Sequence, residues 1–360
     1  MNYIPNIIFL ILISFSVGFF IRNVKRIRRN ISLGKSINRN DKRGIRWRNM
    51  IRLALGQSKM VSRPISGFLH VIVYVGFVII NIELLEIIID GLTGEHRIFA
   101  PILGSLYNVL IGTFEIFAFL VLVAVIFFWT RRNIIKINRF WKAEMKGWPK
   151  LDGDIILYFE VVLMFLFLAM NATDSILQEL DPEHYVKAGS FPISQFLVPL
   201  FENLSKNNLY LMERSFWWFH IIGIFIFLNY LYYSKHLHIL LAFPNTYFAN
   251  LNLKGKFSVD SNINKEVQMM MNPNFTIPEG NIATPEKFGA SDVFDLNWVQ
   301  LMNAYSCTEC GRCSSVCPAN ITGKKLSPRK IMMDTRDRLE EVGKNLNKNN
   351  GVLKKIKSSF

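Results

Sequence analysis

Five apolar stretches restrict the fold of this chain more than any other feature of its sequence. They lie near residues 3–21, 67–89, 107–129, 155–173 and 216–241. A helix needs about 20 consecutive apolar residues to cross the hydrocarbon core of a bilayer. The whole chain has 360 residues, of which 51% are hydrophobic, which is too apolar for a soluble protein of this length. We therefore predict a mainly α fold that begins with a five-helix transmembrane bundle over residues 1–243.

Lysine and arginine are distributed unevenly among the loops between these stretches. Fourteen lie between residues 22 and 66 and seven between 131 and 153, whereas the loops 90–106 and 174–214 together contain four. Basic loops remain on the cytoplasmic side of a membrane. We expect a multi-pass protein of the bacterial cytoplasmic membrane, with its N-terminus outside and its C-terminus in the cytoplasm. The same loops account for the formal charge of +15, so nucleic acid is not an expected partner.

The remaining segments are polar. Residues 244–292 are rich in Asn, Pro, Gly and Lys and resemble an extended linker, and residues 293–360 are predicted to form a small cytoplasmic α-helical domain. Within it, residues 330–342 have helical spacing and many opposite charges. In the first basic loop, residues 44–57 alternate arginines with Trp47 and aliphatic residues, which predicts a short helix on the inner leaflet.

All four cysteines fall within eleven residues, in the run Cys307-Thr-Glu-Cys310-Gly-Arg-Cys313-Ser-Ser-Val-Cys317-Pro. The spacing C-x2-C-x2-C-x3-C-P is that of bacterial ferredoxins, in which thiolates wrap a [4Fe–4S] cluster. Four such close cysteines make a poor disulfide framework and suit a reducing compartment. A zinc knot is the alternative, although zinc usually takes two separated C-x2-C pairs or Cys/His mixtures. We expect Gly311 to let the backbone approach the cluster closely.

One run of cysteines is half of a two-cluster unit. In two-cluster ferredoxins the fourth cysteine of each run binds the other cluster. By that rule Cys307, Cys310 and Cys313 bind one cluster and Cys317 a second one, for which no further cysteines exist. We therefore expect the domain to be incomplete and the chain to be truncated relative to intact homologues, which would hold two clusters. Alternatively, Cys317 closes a single cluster.

Four histidines, at positions 70, 220, 236 and 238, stand at membrane depth, where such residues are costly and usually functional. In a redox protein they suit the axial ligation of haem. His220 and His238 are 18 residues apart, five turns of one continuous helix, so we expect both on one face, about 27 Å apart along the axis. His70 enters at the depth of His238 and is its expected partner. His236 points away on the same helical geometry and is a weaker candidate.

His220 lacks an obvious partner at its own depth. His96, in the loop 90–106, and Met170, near the end of the fourth stretch, are the available candidates. Glu83 and Glu86 fall in the same half of the membrane, and buried carboxylates beside a haem can exchange protons with a quinone. Their alternative role is a hydrogen bond that stabilises the bundle.

With these residues in view, the bundle resembles the gamma subunit of respiratory nitrate reductases, a dihaem cytochrome b that exchanges electrons with quinol. The resemblance implies one or two b-type haems, with His70, His220 and His238 as ligands. It also implies a further histidine ten residues after His70, where this chain has Ile80. The cysteine region resembles the dicluster ferredoxin part of heterodisulfide-reductase-like proteins and of the iron–sulfur component of anaerobic glycerol-3-phosphate dehydrogenases.

Fusions of these two parts resemble membrane iron–sulfur oxidoreductases that link soluble proteins to menaquinone. The resemblance implies electron transfer between the (mena)quinone pool and a cytoplasmic flavoprotein or iron–sulfur oxidoreductase. Two other functions stay open: an iron–sulfur membrane anchor without haem, and a non-redox membrane protein, such as a transporter, with a structural metal knot. No nucleotide-binding or nucleophile motif is present, so we expect any substrate site to lie on a partner.

Overall fold

A computed structural model describes residues 3–253, 255–256, 261–272, 289–349 and 351–352. This part of the chain is mainly helical and contains no β-strand, apart from an isolated bridge between Lys35 and Asn297. Its α-helices, in chain order, are α1 Ile4–Ile31, α2 Arg43–Met50, α3 Pro64–Thr93, α4 Phe99–Leu103, α5 Ser105–Asn133, α6 Trp148–Leu180, α7 Lys206–Tyr230, α8 His238–Tyr247, α9 Ser261–Met271, α10 Trp298–Tyr305, α11 Pro318–Ile321 and α12 Pro328–Lys348.

Helices α1, α3, α5, α6 and α7 are long and apolar enough to cross a membrane. This confirms the five predicted spans, and the chain is a multi-pass membrane protein. The helices are longer than the apolar stretches because their ends carry polar turns. Helix α1, for example, ends in a turn that contains Arg28 and Arg29, cations that interact favourably with a helix C-terminus. Helix α3 starts at Pro64 and stops at Gly94, whose φ of +82° favours glycine.

The predicted continuous helix over residues 216–241 is wrong. Helix α7 ends at Tyr230, and after one 3₁₀ turn the backbone of Ser234 is extended, with ψ 151°. Buried Asp152, in the first turns of α6, accepts hydrogen bonds from the Tyr230 hydroxyl at 2.6 Å and from the Lys235 backbone at 3.0 Å. The chain then enters α8 at His238. Because of this break, His220 and His238 lie on different helices, and the expectation that they share one helical face is also wrong.

The bundle packs around a continuous apolar core. Residues from all five spanning helices contribute, among them Phe9, Ile87, Phe114, Phe167 and Ile221. Alternating helix directions place the start of α1 beside the end of α3, where the Asn6 side chain donates a hydrogen bond to the Gly91 carbonyl at 3.1 Å. We call the end of the bundle that carries the loop 307–317 the cysteine side. The end with the loops 94–104 and 181–205 is the opposite side.

The C-terminal helices dock onto the cysteine side through a second apolar core. Its buried members come from α1, from the 3₁₀ turn before α8, and from the C-terminal helices: Ile27, Leu237, Val293, Leu301, Tyr305, Leu339 and Val342. Asn30 of α1 donates to the Tyr305 hydroxyl at 2.8 Å within this contact. The cysteine region is therefore held directly against the ends of the membrane helices.

The remaining segments agree in part with the sequence analysis. The segment 44–57 is helical, as predicted, with α2 followed by a π-helical turn at Ile51–Leu55, and Trp47 is exposed. Arg46, however, is fully buried and donates to the Tyr247 and Ala249 carbonyls. The predicted linker 244–292 contains the end of α8 and α9, and much of its remainder lies outside the described residues. Helix α12 contains the predicted helix 330–342.

Candidate functional site

The cysteine loop runs from the end of α10 to the start of α11. Cys307, Cys310 and Cys317 are partly buried, Cys313 is exposed, and none of the four forms a disulfide. Two residues turn the loop with positive φ, Glu309 at +54° and Gly311 at +72°. A Cβ on Gly311 would lie 2.9 Å from Nη1 of Arg329. Glycine suits this position through its positive φ and through the close packing of the loop on Arg329.

The loop is anchored by buried ion pairs. The Glu309 carboxylate is 2% exposed and accepts from Lys235 Nζ at 2.5 Å and from Arg336 at 2.7 Å. Burial alone would raise the pKa of Glu309, but the two cations hold it below its usual range. Arg329, also 2% exposed, donates to the Arg139 carbonyl and to Glu144, both at 2.7 Å. These pairs join the loop to the spanning helices and their connections.

The thiols have different electrostatic surroundings. Burial raises the pKa of Cys307, against a hydrogen bond from the Glu309 amide to its sulfur at 3.4 Å. Burial also opposes ionisation of Cys310, but hydrogen bonds from the Arg312 backbone and from Arg312 Nε, at 3.3 Å, lower the pKa of this thiol below its ordinary value. Hydrogen bonds of this kind stabilise sulfur ligands in iron–sulfur proteins. The loop thus provides four thiols and N–H donors aimed at sulfur, which fits the cluster predicted from the spacing.

Within the described residues, no three His, Cys, Asp or Glu side chains are gathered as one metal ion would require. The cysteines of a four-iron cluster each bind a different iron. Their sulfurs consequently lie farther apart than the ligands of a single ion do.

Two histidines from different helices meet beside this loop. The rings of His70, near the start of α3, and His238, at the start of α8, have centroids 6.4 Å apart and planes inclined by 45°. Imidazoles that bind one metal from opposite sides, at about 2 Å each, have ring centres about 6 Å apart. His238 Nδ1 lies 3.2 Å from the Lys235 carbonyl, which can only accept, so Nδ1 carries the hydrogen and Nε2 is free to bind a metal.

The rings of His70 and His238 lie next to each other, as expected from their common depth in the membrane. The expectation that His238 belongs to one continuous helix with His220 was wrong, because His238 lies on α8. The Nδ1 atom of His70 is buried without a hydrogen-bond partner among the described residues. His236 lies closer to His238 than its position on a continuous helix predicted. Its ring centroid is 5.4 Å from that of His238, and it packs edge-on against Phe227.

His220 stands apart from these rings. It is buried on α7, its Nδ1 lies 3.1 Å from the Leu163 carbonyl, and its ring packs against Phe167. It lines an apolar cavity of about 100 Å³ together with Ile80. The two expected partners, His96 and Met170, line a different cavity, and His96 is hydrogen-bonded to Asp174 at 3.0 Å.

That second cavity, of about 340 Å³, opens on the opposite side between α1, α3, α6 and α7. Glu83 lines both cavities, is 3% exposed, and its Oε2 has no hydrogen-bond partner in the described structure. Glu86 differs, since it accepts from the Tyr107 hydroxyl at 2.8 Å and from the Phe99 amide at 2.9 Å. The sequence analysis gave these two carboxylates the same candidate roles, but their hydrogen bonding in the structure differs. Glu86 has hydrogen-bond partners within the bundle, whereas one carboxylate oxygen of Glu83 has none among the described residues.

Three residues near these sites were missed from the sequence. Lys235, Glu309 and Asp152 are ordinary charged residues by type, and each becomes notable only through a partner distant in the chain. A signal existed for Glu309, which stands between the first two cysteines, and for Lys235, which is adjacent to two histidines. Asp152 carries no sequence signal of this kind.

Comparison with known proteins gives distant but extensive similarities. The probable iron-sulfur-binding oxidoreductase FadF of Bacillus subtilis (strain 168) is 28% identical over 337 residues, 94% of this chain and 43% of that protein. The EtfAB:quinone oxidoreductase of Syntrophomonas wolfei subsp. wolfei is 26% identical over 299 residues, 81% of this chain and 37% of that protein.

A probable membrane-anchored ferredoxin of Chromohalobacter salexigens is 41% identical over 46 residues, 13% of this chain and 7% of that protein. The chain spans less than half the length of each of these proteins. No protein-family description matches the chain, and no solved structure does.

Proposed function

We propose that this membrane protein carries electrons between a cytoplasmic redox partner and the menaquinone pool, through a [4Fe–4S] cluster and a b-type haem. The observation that carries the proposal is the meeting of His70 and His238 at 6.4 Å beside the cysteine loop. Iron–sulfur, quinone and ferredoxin in the names of the three similar proteins support it. When bound, the cluster and the haem each accept and release one electron.

The residues of the cysteine loop would hold the cluster. Cys307, Cys310 and Cys313 would supply three thiolates, and Cys317, the alternative fourth ligand named above, would close the cluster. Arg312 stabilises the ionised form of Cys310 through its backbone and its guanidinium group. Exposed Cys313 lies at the surface of the loop, where a soluble redox partner can approach. A cytoplasmic flavoprotein or iron–sulfur oxidoreductase is the expected partner.

One haem on the cysteine side is the number that the side chains support. His70 and His238 would be its axial ligands, and the Lys235 carbonyl orients the imidazole of His238. A second haem would need a partner for His220, but Ile80 faces the same cavity and His96 and Met170 line the other one. We assign His220 to packing against Phe167 beside the smaller apolar cavity.

The opposite-side cavity is the proposed quinone site. It combines apolar walls with buried polar groups, and Glu83 borders both this cavity and the one beside His220. A buried carboxylate without a hydrogen-bond partner can deliver a proton to a reduced quinone or receive one from a quinol. Glu83 is the residue to which we assign this transfer.

The orientation in the membrane follows from the loop charges. The basic loops 22–66 and 131–153 support a cysteine side in the cytoplasm, in the bacterial cytoplasmic membrane, with the N-terminus outside. A reporter active only in the cytoplasm should work when it is fused after Phe360 and fail when it is inserted near Glu202. The reverse result would invert the proposed orientation.

The decisive experiment is cofactor analysis of the whole protein, purified anaerobically. We expect about four irons and four acid-labile sulfides per cluster, with additional iron as b-type haem that gives a reduced-minus-oxidised spectrum. A menaquinone analogue should reoxidise the reduced haem. Cluster without haem would make the protein an iron–sulfur anchor, and stoichiometric zinc without sulfide would refute the redox function.

A further inference from the structure

Glu309 has an unusual place in the cysteine loop. Its backbone has φ +54°, a conformation that costs a residue with a Cβ some free energy. Its carboxylate is 2% exposed, although a charged group at such a position is normally solvated. Both features are tolerated because two cations, Lys235 and Arg336, donate to it at 2.5 and 2.7 Å. The side chain thus turns from the cysteine loop into the protein.

The two cations come from different parts of the fold. Arg336 belongs to α12, within the C-terminal helices, and Lys235 belongs to the break between α7 and α8, at the end of the membrane bundle. The Glu309–Arg336 pair is therefore internal to the C-terminal helices. The Glu309–Lys235 pair is the one that joins the cysteine loop to the bundle.

Lys235 is itself held by several contacts. Its amide donates to Asp152 at 3.0 Å, its Nζ also donates to the Pro149 carbonyl at 2.6 Å, and its carbonyl accepts from His238 Nδ1 at 3.2 Å. One residue thus contacts the cysteine loop through its side chain and the histidine through its carbonyl. A hydrogen-bonded connection between the two runs from Glu309 through Lys235 to His238.

We infer that Lys235 is a positioning residue that sets the separation and relative orientation of the cysteine loop and His238, and thereby the rate of electron transfer between their cofactors. This inference rests on the proposed function. Electron tunnelling decreases steeply with distance, so a small displacement of the loop changes the rate strongly.

Two variants with a common partner test the inference in the full-length protein. Lys235→Met removes the link to the bundle but leaves Glu309 paired with Arg336, so the loop keeps a buried counter-charge. Arg336→Met is the matched control, since it leaves the Lys235–Glu309 link intact, and the two cationic side chains are similarly buried, at 12% and 17% exposure. Iron, sulfide and haem are quantified first in all three proteins.

The measurements are the rate of haem reduction after rapid reduction of the cluster and the magnetic interaction between the reduced cluster and the ferric haem. We expect Lys235→Met to retain both cofactors, to transfer electrons more slowly by about tenfold or more, and to weaken the magnetic interaction. Arg336→Met should keep a nearly normal transfer rate for each cluster that it retains.

Transfer at the wild-type rate in Lys235→Met, with an unchanged magnetic interaction, would overturn the inference. Equal slowing in both variants would overturn it too, since any loss of charge beside Glu309 would then suffice. The proposed function fails separately, if the wild-type protein itself lacks the cluster or the haem.

Discussion

Key buried polar groups at the two ends of the membrane bundle differ in the partners that they have. On the cysteine side, Glu309 has two cationic partners and His238 is oriented by a carbonyl and faces His70. On the opposite side, His220 has no second histidine near it, and Glu83 has a carboxylate oxygen without a partner among the described residues. Paired rings in fixed positions suit electron transfer, which needs little motion. An unpaired carboxylate beside a cavity suits proton transfer, which needs a free acceptor.

Several buried polar groups on the opposite side do have partners. Buried Arg97 donates to Asp174, to the Tyr107 hydroxyl at 3.2 Å and to Asn171 at 2.9 Å. Tyr107 in turn donates to Glu86. A buried polar group normally finds a partner, because leaving it unpaired costs free energy. Among the described residues on this side, Glu83 Oε2, Ser194 Oγ and His96 Nδ1 lack a hydrogen-bond partner, and of these three residues only Glu83 borders both cavities.

The largest expected effect is on the cluster itself. Cys310→Ser should abolish acid-labile sulfide and the broad visible absorption, because it removes the thiol that Arg312 stabilises in its ionised form. Sulfide and iron assays on anaerobically purified protein measure this. Ser315→Ala, in the same loop, is the control and should keep the cluster. A cluster that persists unchanged in Cys310→Ser would separate the cysteine run from iron–sulfur binding.

The second prediction tests the difference between His70 and His238, whose rings face each other, and the isolated His220. His70→Ala and His238→Ala should each remove the same b-type haem signal, since the two rings are proposed to hold one iron. His220→Ala should leave that signal in place, and His184→Ala, an exposed residue on the opposite side, is the control. Reduced-minus-oxidised spectra of the four variants decide. Loss of the haem signal in His220→Ala alone would show that the haem is bound near His220 and not between His70 and His238.

The third prediction concerns protons rather than electrons. Glu83→Gln keeps the size of the side chain but cannot transfer a proton, so steady-state quinone reduction should decrease by about 100-fold. The haem spectrum and the rate of haem reduction by the cluster should stay unchanged. Glu95→Gln, an exposed carboxylate that lines the same cavity, is the control. If haem reduction by the cluster slowed as much as quinone reduction in Glu83→Gln, the substitution would have disturbed the bundle as a whole.

The smallest expected effect tests an ion pair outside the membrane. Arg338 donates to Asp292 at 2.8 Å, and this hydrogen bond lowers the pKa of Asp292 below its usual value. A depressed folded-state pKa contributes stability above the unfolded pKa of about 4, and this contribution is lost as the pH falls through the folded value. Asp292→Asn should thus destabilise the protein by about 1 kcal/mol or less at pH 6.

The difference from the wild type should shrink as the pH falls below about 4. Thermal unfolding midpoints of both proteins, measured at each pH, give this difference directly. Asp334→Asn, in the exposed pair with Lys330, is the control for loss of a surface charge. A difference that grows on acidification would contradict the assigned direction of the Asp292 pKa.

Much of the architecture could be predicted from the sequence because it depends on local composition. An apolar stretch of about 20 residues crosses a bilayer as a helix, because a helix satisfies the backbone hydrogen bonds within the stretch itself. The five spans, the helical segment 44–57 and helix α12 follow from such local rules. The ligand chemistry of the cysteine run is likewise contained in its spacing. The proximity of His70 and His238 was predicted from their depth in the membrane, which can be counted along the sequence.

Contacts between distant parts of the chain required the tertiary structure. The helix break at Ser234 is stabilised by Asp152, which lies 82 residues earlier, so continuing α7 to residue 241 was wrong. The same folding decides that Glu86 has partners and Glu83 has one oxygen without any. Composition and spacing determined which elements form and which chemistry they can support. Only packing decided which side chains are paired, because a hydrogen bond depends on positions in space that hydropathy and periodicity do not specify.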